Sequence, residues 1–85
     1  MSDGITIQLT FYGPAAALAG ERTLALEVAA GATVGVLLEA LTMQRPALAP
    51  LLPRCATALN GSLVPPGSLL ANGDRLDLLP PVSGG

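Results

Sequence analysis

Lysine, histidine and tryptophan are all absent from this 85-residue sequence, and cysteine occurs once, at Cys55. Without histidine or lysine, and with a lone thiol, the chain lacks the usual groups for general acid–base catalysis, Schiff-base formation or metal ligation. Neither a metal site nor a self-contained active site is expected. One cysteine cannot close an internal disulfide, which agrees with a reducing compartment. The only cations, Arg22, Arg45, Arg54 and Arg75, are scattered against six carboxylates and form no basic track for phosphates, so nucleic-acid binding is disfavoured. No apolar run approaches the ~18 residues that cross a bilayer, and Met1-Ser2-Asp3-Gly4 carries neither the basic head nor the apolar stretch of a secretion signal. A soluble, cytoplasmic protein is the expectation. Phe11 and Tyr12 are the only aromatics, so the core must be filled by branched aliphatics. The length suits one small domain.

What is present is a series of clear periodicities. Ile5 to Phe11 alternates apolar and polar residues, the signature of a half-buried strand, and Thr23 to Val28 alternates again with Leu24, Leu26 and Val28 on one face. Between them Gly13-Pro14 breaks the first strand, and Ala15 to Ala19 suits one helical turn ended by Gly20. Thr33 is placed to cap a helix whose Val34, Leu37, Leu38 and Leu41 fall at i, i+3, i+4 and i+7, a stripe suited to covering a sheet. Gly35 weakens the first turn of that helix, and Pro46 bars its continuation beyond Arg45. Ala47 to Pro53 reads as an irregular or short helical connection. Arg54 to Leu59 is a weaker strand, Asn60-Gly61 fits a type I′ hairpin turn, and Ser62 to Val64 is the short return. Asn72-Gly73-Asp74 makes a further turn before the last strand, Arg75 to Leu79, which Pro80-Pro81 terminates.

A strand pair, one main helix and further strands predict an α+β domain, a mixed sheet of about five strands curled around the helix in the β-grasp, ubiquitin-like layout. Its first and last strands are expected side by side in the middle of the sheet. Residues 1–81 would form this domain, and 82–85 a Gly-Gly tail.

From Asp74 onward the sequence runs Asp74-Arg75-Leu76-Asp77-Leu78-Leu79-Pro80-Pro81-Val82-Ser83-Gly84-Gly85. This ending resembles the MoaD family of ubiquitin-like sulfur carriers, the small subunits of molybdopterin synthase within the MoaD/ThiS superfamily. The likeness continues upstream through Phe11, the Ala16 to Gly20 segment, Thr33-Val34, Leu59-Asn60 and the Asn72-Gly73-Asp74 turn, and so covers nearly the whole chain. The resemblance implies that Gly85 is the working group. An activating enzyme of the MoeB type, related to the ubiquitin-activating enzymes, uses ATP to adenylate it, and sulfur from a persulfide displaces AMP to leave a thiocarboxylate. Docked in a MoaE-like large subunit, within a heterotetramer, the segment Pro81, Val82, Ser83, Gly84 and Gly85 would deliver that sulfur to cyclic pyranopterin monophosphate. No permanently bound cofactor is implied; the catalytic groups are expected on the large subunit.

Physical chemistry explains why such a tail suits the task. A terminal carboxyl, with a reference pKa of ~3.3–3.7, is ionised at neutral pH and is a poor electrophile until its oxygen is made a better leaving group. Glycines without Cβ can thread a narrow channel, and residues 82–85 reach roughly 13 Å when extended. Pro80-Pro81 stiffens the root. A thioacid is more acidic than a thiol, so the sulfur is anionic near neutral pH without a neighbouring base.

Phe11, Leu79 and Pro80 are candidates for a partner-docking patch, because the adjacent Leu78 and Leu79 cannot both face the helix. The alternation of the first strand opposes this for Phe11 and predicts its burial. Arg54 and Arg75 are expected to be solvated, and Cys55 to be a core residue on a strand. Competing functions are a carrier for another route, such as thiamine, cysteine or a secondary metabolite, a ubiquitin-like modifier, and a plain interaction module. Without lysine, side-chain isopeptide chains of this protein with itself are excluded.

Overall fold

In the computed structural model the described residues are 4–81. Strand β1 (Gly4–Phe11) turns Ile7, Leu9 and Phe11 into the core and Gln8 and Thr10 outward. It pairs antiparallel along its length with β2 (Thr23–Ala29), Ile7 opposite Leu26 and Leu9 opposite Leu24. Helix α1 (Pro14–Ala19) connects them. It ends at Gly20, whose φ of 80° is the left-handed conformation glycine adopts without strain, and whose N–H donates to the Ala16 carbonyl at 3.0 Å.

Helix α2 (Val34–Gln44) lies across the sheet with Val34, Leu37 and Leu41 buried and Leu38 half-buried, as the stripe predicts. Thr33 caps it, its Oγ1 accepting from the Val36 N–H at 3.3 Å. Two further N-terminal amides that no helical turn can satisfy are taken up by a distant loop: Val34 N–H donates to the Ser68 carbonyl and Gly35 N–H to that of Pro66, each at 2.9 Å. Arg45 closes the other end and bonds Glu21 at 2.7 Å. Both of those side chains are about a third exposed, so the pair is worth at most about 1 kcal/mol.

Gly35 does not have a positive φ, and a Cβ built on it stands 3.4 Å from the Pro66 carbonyl oxygen, ordinary contact distance. Gly35→Ala is therefore expected to raise stability by a few tenths to about 1 kcal/mol, by cutting unfolded-state entropy in a helical position. A higher urea midpoint is the expected readout. A lower one would mean that the bond to Pro66 cannot be kept.

After α2, two 3₁₀ turns (Pro46–Leu48 and Leu52–Arg54) bring Leu48 and Leu52 into the end of the core. Here the strand predicted from Arg54 is corrected. The amides of Arg54 and Cys55 donate locally to the Leu51 and Leu52 carbonyls at 2.9 and 3.1 Å, so the 3₁₀ turn takes them and β3 (Ala56–Leu59) begins later. The hairpin to β4 (Ser62–Leu63) turns at Asn60-Gly61 with φ of 49° and 91°, the two positive values a type I′ turn requires. Val64 continues the pairing: its N–H donates to the Thr57 carbonyl, and the Thr57 hydroxyl donates back to the Val64 carbonyl, both at 3.0 Å. The last strand, β5 (Arg75–Leu79), completes a sheet of order β2-β1-β5-β3-β4, with β5 parallel to β1 and antiparallel to β3. This mixed five-stranded sheet over α2 is the β-grasp, ubiquitin-like arrangement. Among the described residues no helix is long and apolar enough to cross a membrane.

Candidate functional site

The Gly-Gly end of the sequence follows β5, the central strand of the sheet. β5 is hydrogen-bonded on both sides, Leu78 standing opposite Phe11 of β1 and Thr57 of β3. Leu76 and Leu78 are wholly buried, while Arg75, Asp77 and Leu79 alternate onto the outer face. The two adjacent leucines thus separate as predicted, Leu78 into the core and Leu79 outward and half-buried. Pro80 is half-buried with its Cγ 3.8 Å from the position a Cβ would take on Gly13, and Pro81 is exposed. Val82, Ser83, Gly84 and Gly85, which the sequence marks as the inserted tail, lie outside the described residues.

The entry to β5 is fixed by three side chains from two separate turns. Asp74 accepts from the Asn60 amide at 2.9 Å through Oδ1 and from the Ala71 N–H at 2.8 Å through Oδ2. Asn60 Oδ1 accepts from the Arg75 N–H at 2.9 Å, and Asn72 Oδ1 accepts from the Thr6 N–H at 2.8 Å. The hairpin tip, the start of β1 and the start of β5 are held together at one end of the sheet, which sets the direction in which β5 points at the other. Asp74→Ala breaks two of these bonds and is expected to cost about 1–3 kcal/mol. A fall in the denaturation midpoint, with faster amide exchange at Arg75 and Leu76, is the expected result.

Beside the root, the outer sheet face is a shallow apolar floor. Ala56 and Ala58 of β3 lie across from Leu79 and Asp77 of β5, and Leu63 of β4 pairs with Ala58. Ala58 is buried yet belongs to no part of the core cluster, so it is covered by neighbours on the outer face. Leu63 is 70% exposed and stands beside Ala58, across β3 from Asp77. Sequence reasoning did not select Leu63. The only signal was an apolar residue opposite Ala58 once the Asn60-Gly61 turn sets the hairpin register. Phe11, proposed for the docking patch, is only 2% exposed and is corrected to a core residue, as its strand alternation requires. Arg54 and Arg75 are exposed, as expected. Cys55 is neither on a strand nor in the core. It is half-buried just before β3, and desolvation pushes its thiol pKa up, so near neutral pH it is a neutral, weak nucleophile. The described residues contain no cluster of His, Cys, Asp or Glu able to hold a metal ion.

Residues 9–85 match the ThiS family, through to the terminal glycine. The chain belongs to that family. Among curated relatives of this ThiS family member is small archaeal modifier protein 1 of Haloferax volcanii, 38% identical over 82 residues, covering 87% of this chain and 94% of the relative. The crystal structure of the Haloferax volcanii protein superposes with a TM-score of 0.85 at 34% identity, covering 94% of this chain and 99% of the other. A second solved neighbour comes from the protein–protein complex of subunits 1 and 2 of the molybdopterin-converting factor of Helicobacter pylori. Its TM-score is 0.69 at 29% identity, covering 95% of this chain and all of that one. The ThiS family member described here is thus a small ubiquitin-like protein of the ThiS/MoaD type, in a family of sulfur carriers and protein modifiers.

Proposed function

We propose that this chain is a sulfur carrier charged at Gly85, and that it serves as the small subunit of a molybdopterin synthase. The observation that carries the reading is a family-matched sequence ending in Gly84-Gly85 that follows β5, a strand bonded on both sides, in a sheet whose outer face carries Leu79 of β5 and Leu63 of β4. Docking on that face aligns the tail with the partner's site, and a rigid root limits where the glycines can go. In the first step a Gly85 carboxylate oxygen attacks the α-phosphorus of ATP on an activating enzyme, pyrophosphate leaves, and an acyl adenylate forms. A persulfide sulfur then attacks the Gly85 carbonyl carbon and AMP leaves. A second thiol cleaves the resulting S–S bond, leaving the thiocarboxylate. Held by a large subunit, the sulfur anion attacks an electrophilic carbon of the cyclic pyranopterin precursor, the C–O bond at that carbon breaks and its oxygen substituent leaves. Water then hydrolyses the acyl–sulfur link, which returns the carboxylate and leaves the sulfur on the precursor. In this reading the chain works in the cytoplasm, consumes no cofactor of its own, and supplies the cargo and the docking face.

A second reading, conjugation of Gly85 to lysines of target proteins, is favoured by the similarity to the Haloferax volcanii modifier. It shares the adenylation step. The two readings part when the thiocarboxylated protein is mixed with the large synthase subunit and the pterin precursor. Formation of a dithiolene with return of the free carboxylate supports the carrier. Covalent adducts on protein lysines in cell extract, without dithiolene, would support the modifier.

A further inference from the structure

The outer sheet face carries two carboxylates, the exposed Glu27 of β2 and Asp77 of β5, and of these Asp77 is the one beside the apolar floor. Asp77 lies in the middle strand of the sheet, between Thr10 of β1 and Ala58 of β3. Its side chain is 15% exposed, and its Oδ1 is shut off from solvent with no hydrogen-bond partner among the described residues. The nearest cation is Arg75 on the same strand, with Nε at 3.9 Å, too long for a hydrogen bond, and its side chain is 61% exposed. An ionised carboxylate can accept about four hydrogen bonds, and leaving an oxygen desolvated and unpaired costs about 1–3 kcal/mol. Among the described residues only the exposed Arg75 guanidinium, at 3.9 Å, offsets part of that cost; the neighbour on the β3 side is the methyl of Ala58. Any partner that covers these residues strips the remaining water from Asp77 and must then supply a donor of its own.

We infer that the activating enzyme, the first partner to receive the tail, presents an arginine guanidinium to Asp77, set within an apolar surround that meets Leu63 and Leu79. Asp77 is thereby a specificity determinant of docking. This rests on the reading of the outer face as the docking surface. Arginine fits better than lysine because its guanidinium is weakly hydrated and its planar fork can serve both carboxylate oxygens at once. A partner with a purely apolar face would bury the carboxylate unpaired and be rejected, which is discrimination by a penalty against the wrong protein.

The test is calorimetric titration of the intact chain against the activating enzyme that adenylates it, together with melting of each free variant. Asp77→Ala and Asp77→Asn are expected to weaken binding tenfold or more. The melting temperature of the free protein should be unchanged or raised, because the uncompensated charge is gone. Opposite signs for affinity and stability are the signature, since a residue with only a structural role would lose both together. Arg75→Gln should stay within about twofold of wild type. If it reproduced the Asp77→Asn loss, the cation would be the chain's own and the inference would be overturned. Leu63→Asp separates the two levels. Full affinity in that variant would refute the docking face and this inference with it. Weak binding by Leu63→Asp beside unchanged binding by both Asp77 variants would overturn only the arginine.

Discussion

Removing Gly85 is expected to abolish activation by the adenylating enzyme and to leave the melting temperature of the domain unchanged. The carboxylate moves back by one residue to Gly84, a displacement of about 3.5 Å along an extended chain. An acyl carbon misplaced by that much no longer meets the α-phosphorus of ATP, and in-line attack is sensitive to displacements of about 1 Å. The expected loss in ATP–pyrophosphate exchange is therefore at least about a hundredfold. The fold has no reason to respond: the hydrogen-bonded sheet ends at Leu79, Pro81 is exposed, and the core runs from Ile7 to Leu78. A melting temperature that fell on deletion would show that the end of the chain packs on the domain. Retained exchange would show that another group is activated.

The second large effect is a contrast between neighbours. Leu78→Ala removes a wholly buried side chain at the centre of β5 and is expected to cost about 2–5 kcal/mol. That is a large share of the total for a domain whose stability is of order 5–15 kcal/mol. Leu79→Ala, one residue on and on the opposite face, is expected to cost less than about 1 kcal/mol, since only part of that side chain is covered. Its effect should fall on docking, where an apolar anchor beside the tail root contributes affinity of about tenfold or more. Chemical denaturation and partner titration of the two variants should give opposite rankings. Equal destabilisation by both would mean that Leu79 is part of the core and that the outer face is not built for docking.

Much of this architecture is written in short-range patterns. The alternation from Ile5 to Phe11, the Thr33 cap, the i, i+3, i+4, i+7 stripe of α2 and the Asn60-Gly61 turn each depend on residues close in sequence, and each is found in the structure. The start of β3 was misplaced because the local bonds of a 3₁₀ turn compete for the amides of Arg54 and Cys55, and alternation carries no information about that competition. The proposed docking face was only half legible. Leu79 followed from its neighbour, but Leu63 and Asp77 acquire their meaning from strand pairing. Ala58 meets Leu63 on one side and Asp77 on the other only after β5 inserts between β1 and β3. Likewise Asn60 and Asp74 were visible as separate turn residues, whereas their bond at 2.9 Å is a product of topology. Phe11 shows the reverse: its own strand argued for burial, and that local argument was correct.

The central claim concerns a single atom, the sulfur to be carried on the terminal carbonyl. Fragmentation mass spectrometry of the intact protein, after incubation with its activating enzyme, ATP and a persulfide donor, locates any added mass along the chain. The account predicts the exchange of one oxygen for sulfur, confined to the fragment that contains Gly85, with Cys55 unmodified. Sulfur found on Cys55 instead, or a terminus that stays a plain carboxylate under turnover, would contradict it.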